Sequence, residues 1–191
     1  MGLPVLILGF SGSGKSTSLR NFGADELALV NVNGKPLPFR TLFKNQLKSD
    51  DYNKITDFIK KTGCKAIAID DAQYLMANEF MRRAKETGFQ KFTDIGKNFW
   101  ALVKSVEALP DDVIVYFLSH IECDENGREK AKTIGKLLDE KITVEGMFTV
   151  VLKTLVVDKQ YMFATQTDGN DTCKTPLGLF ENMYIANDLK I

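Results

Sequence analysis

The stretch Gly9-Phe10-Ser11-Gly12-Ser13-Gly14-Lys15-Ser16 constrains this chain more than any other. It fits the pattern G-x-x-x-x-G-K-[ST] without a gap. Before it, Leu3–Leu8 is a short apolar run that stops at a glycine, as a buried strand does. After it, Lys15–Asn21 suits the first turns of a helix. Glycines let the backbone turn tightly and bring its N–H groups against phosphate oxygens. A following helix would add N-terminal donors and the positive end of its dipole. Lys15 would reach the β- and γ-phosphates, and the Ser16 hydroxyl would bind Mg²⁺. The pattern and its flanks predict a loop that binds a nucleoside triphosphate.

Further along, apolar runs alternate with helical patterns. Leu27–Val32 reads as a strand closed by Asn33-Gly34, Pro36 and Pro38. Tyr52, Ile55, Phe58 and Ile59 share one helical face before Gly63. Ala66–Ile69 is a third strand, and Ala72–Glu86 has few helix breakers. Phe92, Ile95, Phe99, Leu102, Val103, Val106 and Leu109 form the strongest amphipathic pattern, ended by Pro110. Val113–Leu118 is a fourth strand. Glu122–Lys141 is highly charged and reads as a mobile loop with a short helix. Phe148–Val157 and Tyr161–Gln166 suggest a hairpin around Asp158-Lys159. The expectation is an α/β fold over residues 1–191 as a single domain. Its sheet would be open and mostly parallel, with helices on both faces and an antiparallel C-terminal edge.

Ala66-Ile67-Ala68-Ile69-Asp70-Asp71 delivers two carboxylates to the C-terminal end of a strand, the edge where open α/β sheets bind ligands. Asp70 would hold Mg²⁺, directly or through water. Asp71 either orients and deprotonates an attacking water or caps the next helix. Glu26 precedes its strand and faces the wrong end. The only histidine, His120, follows Ser119 at the end of the fourth strand. In the expected order that strand lies between the phosphate-loop strand and the Asp70 strand. Ser119 and His120 would then sense a γ-phosphate; the alternative is a surface histidine at a strand end.

Composition narrows the partners. Lysine plus arginine equals aspartate plus glutamate at 25 each, which argues against a large basic face that coats duplex DNA. Two mixed segments remain candidate single-strand contacts, Arg82, Arg83, Phe89 and Lys91 in one and Arg128, Lys130 and Lys132 in the other. Both also carry acids, so a solvated helix end and a solvated loop are the competing reading. No apolar run is long enough for a membrane span, and no signal-peptide pattern opens the chain. Cys64, Cys123 and Cys173 form neither a disulfide framework nor a CxxC motif, which suits a reducing cytoplasm.

Together, GFSGSGKST, the AIDD strand end and FLSH resemble a RecA-like ATPase core. The segments NVNGKPLPFR, IDDAQYLMANEFMRRAKE, KTIGKLLDEKITVEGMF and IANDLK are similar, in that order, to a family of small bacteriophage ATPases. The resemblance covers nearly the whole chain. It implies Mg-ATP held at Gly9 through Thr17 (the loop residues above plus Thr17) and at Asp70, with Ser119 and His120 as sensors. It implies DNA-facing loops near Glu86–Lys91 and Ile121–Gly135. It also implies a role in recombination, single-strand annealing or replication in the cytoplasm of an infected bacterium, beside a single-stranded-DNA-binding protein. RecA-like ATPases complete each site across a subunit boundary, so a homo-oligomeric ring or filament is expected. The candidate cation in trans is Lys174, although Pro176 stands where relatives have an arginine; Arg82 or Arg83 could supply the charge instead. The glutamate found after the second strand of RecA has no counterpart in Asn31-Val32-Asn33, which shifts weight onto Asp71. Two other functions stay open: a nucleotide-dependent switch with little hydrolysis, and a small-molecule kinase with Arg128–Lys141 as its lid.

Overall fold

The computed structural model describes residues 1–190. In chain order its elements are β1 (Leu3–Gly9), β2 (Leu27–Asn31), β3 (Asn45–Leu47), α1 (Tyr52–Lys61), β4 (Ala66–Asp70), α2 (Gln73–Arg82), α3 (Gln90–Ser105), β5 (Ile114–Cys123), β6 (Glu129–Ala131), β7 (Val150–Val157), β8 (Gln160–Ala164) and β9 (Tyr184–Ala186). Eight strands form an open sheet in the order β3-β2-β4-β5-β1-β7-β8-β9, and β6 pairs with the far end of β5. The pairings from β3 to β7 are parallel, while β7–β8 and β8–β9 are antiparallel. This is the mixed α/β sheet with an antiparallel C-terminal edge that the alternation of apolar runs predicts. The central strand β1 is nearly all apolar because both of its faces are covered.

The two faces are covered differently. On one, Ile55 and Ile59 of α1, Leu75 and Met76 of α2, and Ile95, Phe99, Leu102 and Val103 of α3 pack on Leu6, Val30, Ile69 and Phe117. Asp51 starts α1 by accepting from the amides of Asn53 and Lys54 at 2.9 and 3.1 Å, a cap worth about 1 kcal/mol. On the other face, Val5, Ile7, Leu29, Tyr116 and Leu118 are covered by Leu19, Phe22, Phe43 and Leu189, with Leu37, Phe39 and Phe180 beside them. None of α1, α2 or α3 contributes to that second core, so the expectation of helices on both faces is corrected. Residues 33–44 contain Pro36 and Pro38, and residues 165–183 contain Gly169, Pro176 and Gly178. Neither segment can sustain a helix interior.

Three local expectations also change. Ser16–Leu19 is a single 3₁₀ turn rather than the start of an α-helix. Ser16, Thr17 and Ser18 are weak helix formers, and the Ser18 hydroxyl donates to the Lys15 carbonyl at 2.5 Å. Gly23 follows too soon for propagation. The charged segment after His120 is more ordered than expected: β5 runs on to Cys123, β6 folds back on it, and Leu137–Ile142 makes a π-helical turn. The strand β3 was not expected. The β7–β8 hairpin is as expected, with Asp158 and Lys159 both at positive φ (49° and 65°) in a two-residue turn. Among the described residues, no helix is long and apolar enough to cross a membrane.

Candidate functional site

Parallel register brings chemistry to one sheet edge. Gly9, the last residue of β1, lies opposite His120, three residues before the end of β5, and Asn31 lies opposite Asp70 at the ends of β2 and β4. β5 lies between β1 and β4, as expected. A cavity of about 530 Å³ opens there. Lys15, Ser16, Asp70, Asp71 and His120 line it together with Ser11, Gly12, Gly14 and Thr17.

The glycine loop is shaped for that cavity. Gly12 and Gly14 take φ values of 79° and 106°, which side-chain-bearing residues rarely adopt. A Cβ on Gly9 would overlap the Thr154 and Ser13 hydroxyl oxygens. Those two oxygens lie 2.5 Å apart, and Thr154 also donates to the Leu8 carbonyl, so β7 holds the loop from the side. Lys15 is buried and its Nζ donates to the Gly9 and Phe10 carbonyls, each at 2.9 Å. Burial lowers its pKa to about 8, against the raising pull of Asp71 and Asp70. The loop thus curls around an ammonium with few competing partners.

The Ser16 hydroxyl donates to Asp70 Oδ1 and Oδ2 at 2.8 and 3.0 Å. Burial pushes the Asp70 carboxyl above its ordinary range, and the Ser16 bond partly offsets this. Among the described residues there is no cluster of three or more His, Cys, Asp or Glu able to hold a metal alone. One hydroxyl and one carboxylate nevertheless suit Mg²⁺, which takes one or two protein oxygens and fills its octahedron with phosphate and water. A divalent cation would also offset the cost of burying Asp70.

Asp71 is not a helix cap. The N-cap of α2 is Ala72, without a side-chain cap bond. Asp71 has φ of 61°, a left-handed conformation that costs a non-glycine residue energy. Its Oδ2 accepts from Asn33 Nδ2 at 2.8 Å and Lys35 Nζ at 3.3 Å, and its Oδ1 lies 3.4 Å from His120 Nε2. Burial works to raise its pKa, but His120, Asn33 and Lys35 together hold it well below the ordinary carboxylate range. The Tyr74 ring meets His120 edge-on, with Lys35 Nζ 5.1 Å from its centroid.

Other expected residues lie elsewhere. Ser119 is buried opposite Leu8 and does not line the cavity, because adjacent strand residues point to opposite faces; only His120 of that pair does so. Phe10 and Ser13 face a separate cavity beside β7. The Lys174 backbone pairs with Val151, opposite the middle of β1 and away from its glycine-loop end. Arg82 pairs with Asp50, and Arg83 with Glu79, Glu86 and Asp94. Lys91 is buried, donating to the Glu86 carbonyl beside Phe80 and Phe92. Lys130 pairs with Asp139. Arg128 and Lys132 are exposed, as is Phe89. Glu26 bonds to Lys190, outside the cavity.

Sequence reasoning missed Asn33, Lys35, Tyr74 and Tyr161. The first two follow β2 at the ligand-binding edge, a position that could have flagged them. Tyr161 comes from the β7–β8 hairpin, and its ring lies so close to Gly14 that a Cβ there would sit 2.6 Å from Cδ1. Fully buried Asn187 lies beside the same glycine, with its Nδ2 lacking a hydrogen-bond partner. No protein-family model matches the chain, and no curated protein matches it.

Proposed function

We propose that this chain is a RecA-like P-loop ATPase that binds Mg-ATP and hydrolyses it to ADP and phosphate. The observation that carries the reading is the convergence of Lys15, the Ser16–Asp70 pair and Asp71 on one cavity at the C-terminal edge of a parallel sheet. Lys15 would exchange the Gly9 and Phe10 carbonyls for phosphate oxygens, and the positive-φ glycines would present backbone amides. Ser16 and Asp70 would hold Mg²⁺, whose charge would polarise the phosphates. Asp71 would orient the attacking water, with His120 beside it to register the terminal phosphate. The short 3₁₀ turn after Ser16 supplies little helix dipole, so the positive charge rests on Lys15 and the metal.

The quoted resemblance supports a role on single-stranded DNA in phage recombination, annealing or replication in the host cytoplasm. That role includes homo-oligomerisation, a single-stranded-DNA-binding partner and DNA-stimulated turnover. A second reading, a nucleotide switch with little hydrolysis, is favoured by one observation. Three donors hold Asp71 ionised but weakly basic.

The test is phosphate release by purified protein with Mg-ATP, with and without single-stranded DNA, with Lys15→Ala as the blank. Stimulated turnover that vanishes in Lys15→Ala supports the ATPase. Tight binding without turnover selects the switch. Transfer of label to an added small-molecule acceptor selects a kinase.

A further inference from the structure

A nucleotide cavity that already holds two carboxylates presents an electrostatic problem. Asp70 can be matched by a metal ion. Asp71 cannot be matched in the same way, yet its ionised carboxylate faces the space where a terminal phosphate would arrive. Like charges in a partly buried site repel strongly, so a cation is required between them. Beyond Lys15, the sequence offered Lys174, Arg82 and Arg83; the structure places Lys174 beside Val151 of β7 and engages both arginines in ion pairs of their own.

Lys35 meets the requirement within the chain. It lines the same cavity as Lys15 and Ser16. Its Nζ is 3.3 Å from Asp71 Oδ2, while its side chain remains 63% exposed. Its backbone is pinned: buried Asn31 donates from Nδ2 to the Lys35 carbonyl at 2.7 Å, between the positive-φ turn at Gly34 and Pro36. A fixed backbone beneath a long, free side chain lets the ammonium move without moving the loop. The Tyr74 ring, its centroid 5.1 Å from Nζ, favours a cation at this position.

Resting on the ATP-binding reading, we propose that Lys35 is the in-chain cation that reads the γ-phosphate, moving its ammonium from Asp71 towards the terminal phosphate oxygens. ADP lacks those oxygens and leaves the Lys35–Asp71 pair as it stands. Lys35 therefore determines discrimination between ATP and ADP.

The experiment is calorimetric titration of Mg-ADP and a Mg-bound non-hydrolysable ATP analogue into wild type, Lys35→Ala, Lys35→Arg and Lys15→Ala. A charge-assisted contact predicts that Lys35→Ala loses about tenfold in affinity for the triphosphate, with ADP affinity within about twofold of wild type. Lys35→Arg should keep most of the discrimination. Equal loss for both nucleotides, or no loss for either, would overturn the proposal while leaving the nucleotide site intact. If wild type bound neither nucleotide, or Lys15→Ala bound as well as wild type, the underlying ATP-binding reading would fall and this inference with it. Melting curves of the variants establish that each is folded.

Discussion

The Ser16 hydroxyl donates to both carboxylate oxygens of Asp70, joining the loop after β1 to the end of β4 across the intervening strand β5. Removing the Ser16 hydroxyl leaves the buried Asp70 carboxylate without a side-chain donor. Ser16→Ala and Asp70→Asn should each weaken Mg²⁺-dependent nucleotide binding, and their effects should be non-additive by about 0.5–3 kcal/mol in a double-mutant cycle. Titration of nucleotide at several Mg²⁺ concentrations checks this. Variants that keep the wild-type Mg²⁺ requirement would remove this pair from the metal site.

Lys15 should make nucleotide binding pH-dependent. With its folded pKa lowered from 10.5 to about 8, the folded protein loses this proton while the unfolded chain still holds it. The unfolded state then binds more protons, so stability without nucleotide should rise with pH through that window. Phosphate favours the ammonium, so binding just above pH 8 should take up a proton, and affinity should fall as pH climbs further. Calorimetry in buffers of different ionisation enthalpy measures the proton count. Zero uptake would mean that Lys15 does not meet the phosphates.

Gly14→Ala should weaken nucleotide binding more than Gly12→Ala. Both positions have positive φ, but at Gly14 the new methyl would also meet Tyr161, whereas nothing lies within 4 Å at Gly12. The Tyr161 ring is partly exposed and can swing away, so backbone strain of about 1–2 kcal/mol should persist. Adding Tyr161→Ala should rescue Gly14→Ala only in part. Full rescue would make the ring contact, rather than φ, the whole cause.

The basic residues should separate by their pairing. Arg128→Ala and Lys132→Ala should weaken single-stranded DNA binding and flatten its salt dependence, since both side chains are exposed. Lys132 also donates its amide to the His120 carbonyl, tying that loop to the site. Arg83→Ala should instead lower the melting temperature, because it breaks the link from the end of α2 to Asp94 of α3 as well as the pair with Glu79. Binding isotherms at several salt concentrations and thermal melts distinguish the two groups. An Arg83 variant that melts normally but fails to bind DNA would reverse the assignment.

What could be read from the sequence was what is local along it. The loop from Gly9 to Ser16 is contiguous, β1, β2 and β4 announce themselves as apolar runs ended by turn residues or acids, and β5 shows its apolar first half but not its polar run-on to Cys123. β3 did not, because Asn45-Gln46-Leu47 has only one apolar residue and becomes a strand by pairing with β2. The one-sided placement of helices depends on what the proline- and glycine-containing segments cannot form, which periodicity does not report. Ser119 and His120 looked equivalent as neighbours, but the alternation of a strand separates them. Lys35 and Tyr161 enter the cavity from distant segments, and no spacing rule connects either to Lys15.

Three residues that brace the glycine loop and the turn after it arrive late in the chain. Thr154 supports Gly9, and the Leu189 amide donates to the Ser18 carbonyl at 3.0 Å while Arg20 reaches the Asn187 carbonyl at 2.5 Å. Contacts of such sequence separation form late and slowly during folding. The glycine loop therefore takes its final shape only once segments well over a hundred residues further along the chain have docked beside it, so the order of this loop is a gauge of whether the C-terminal edge of the sheet is in place.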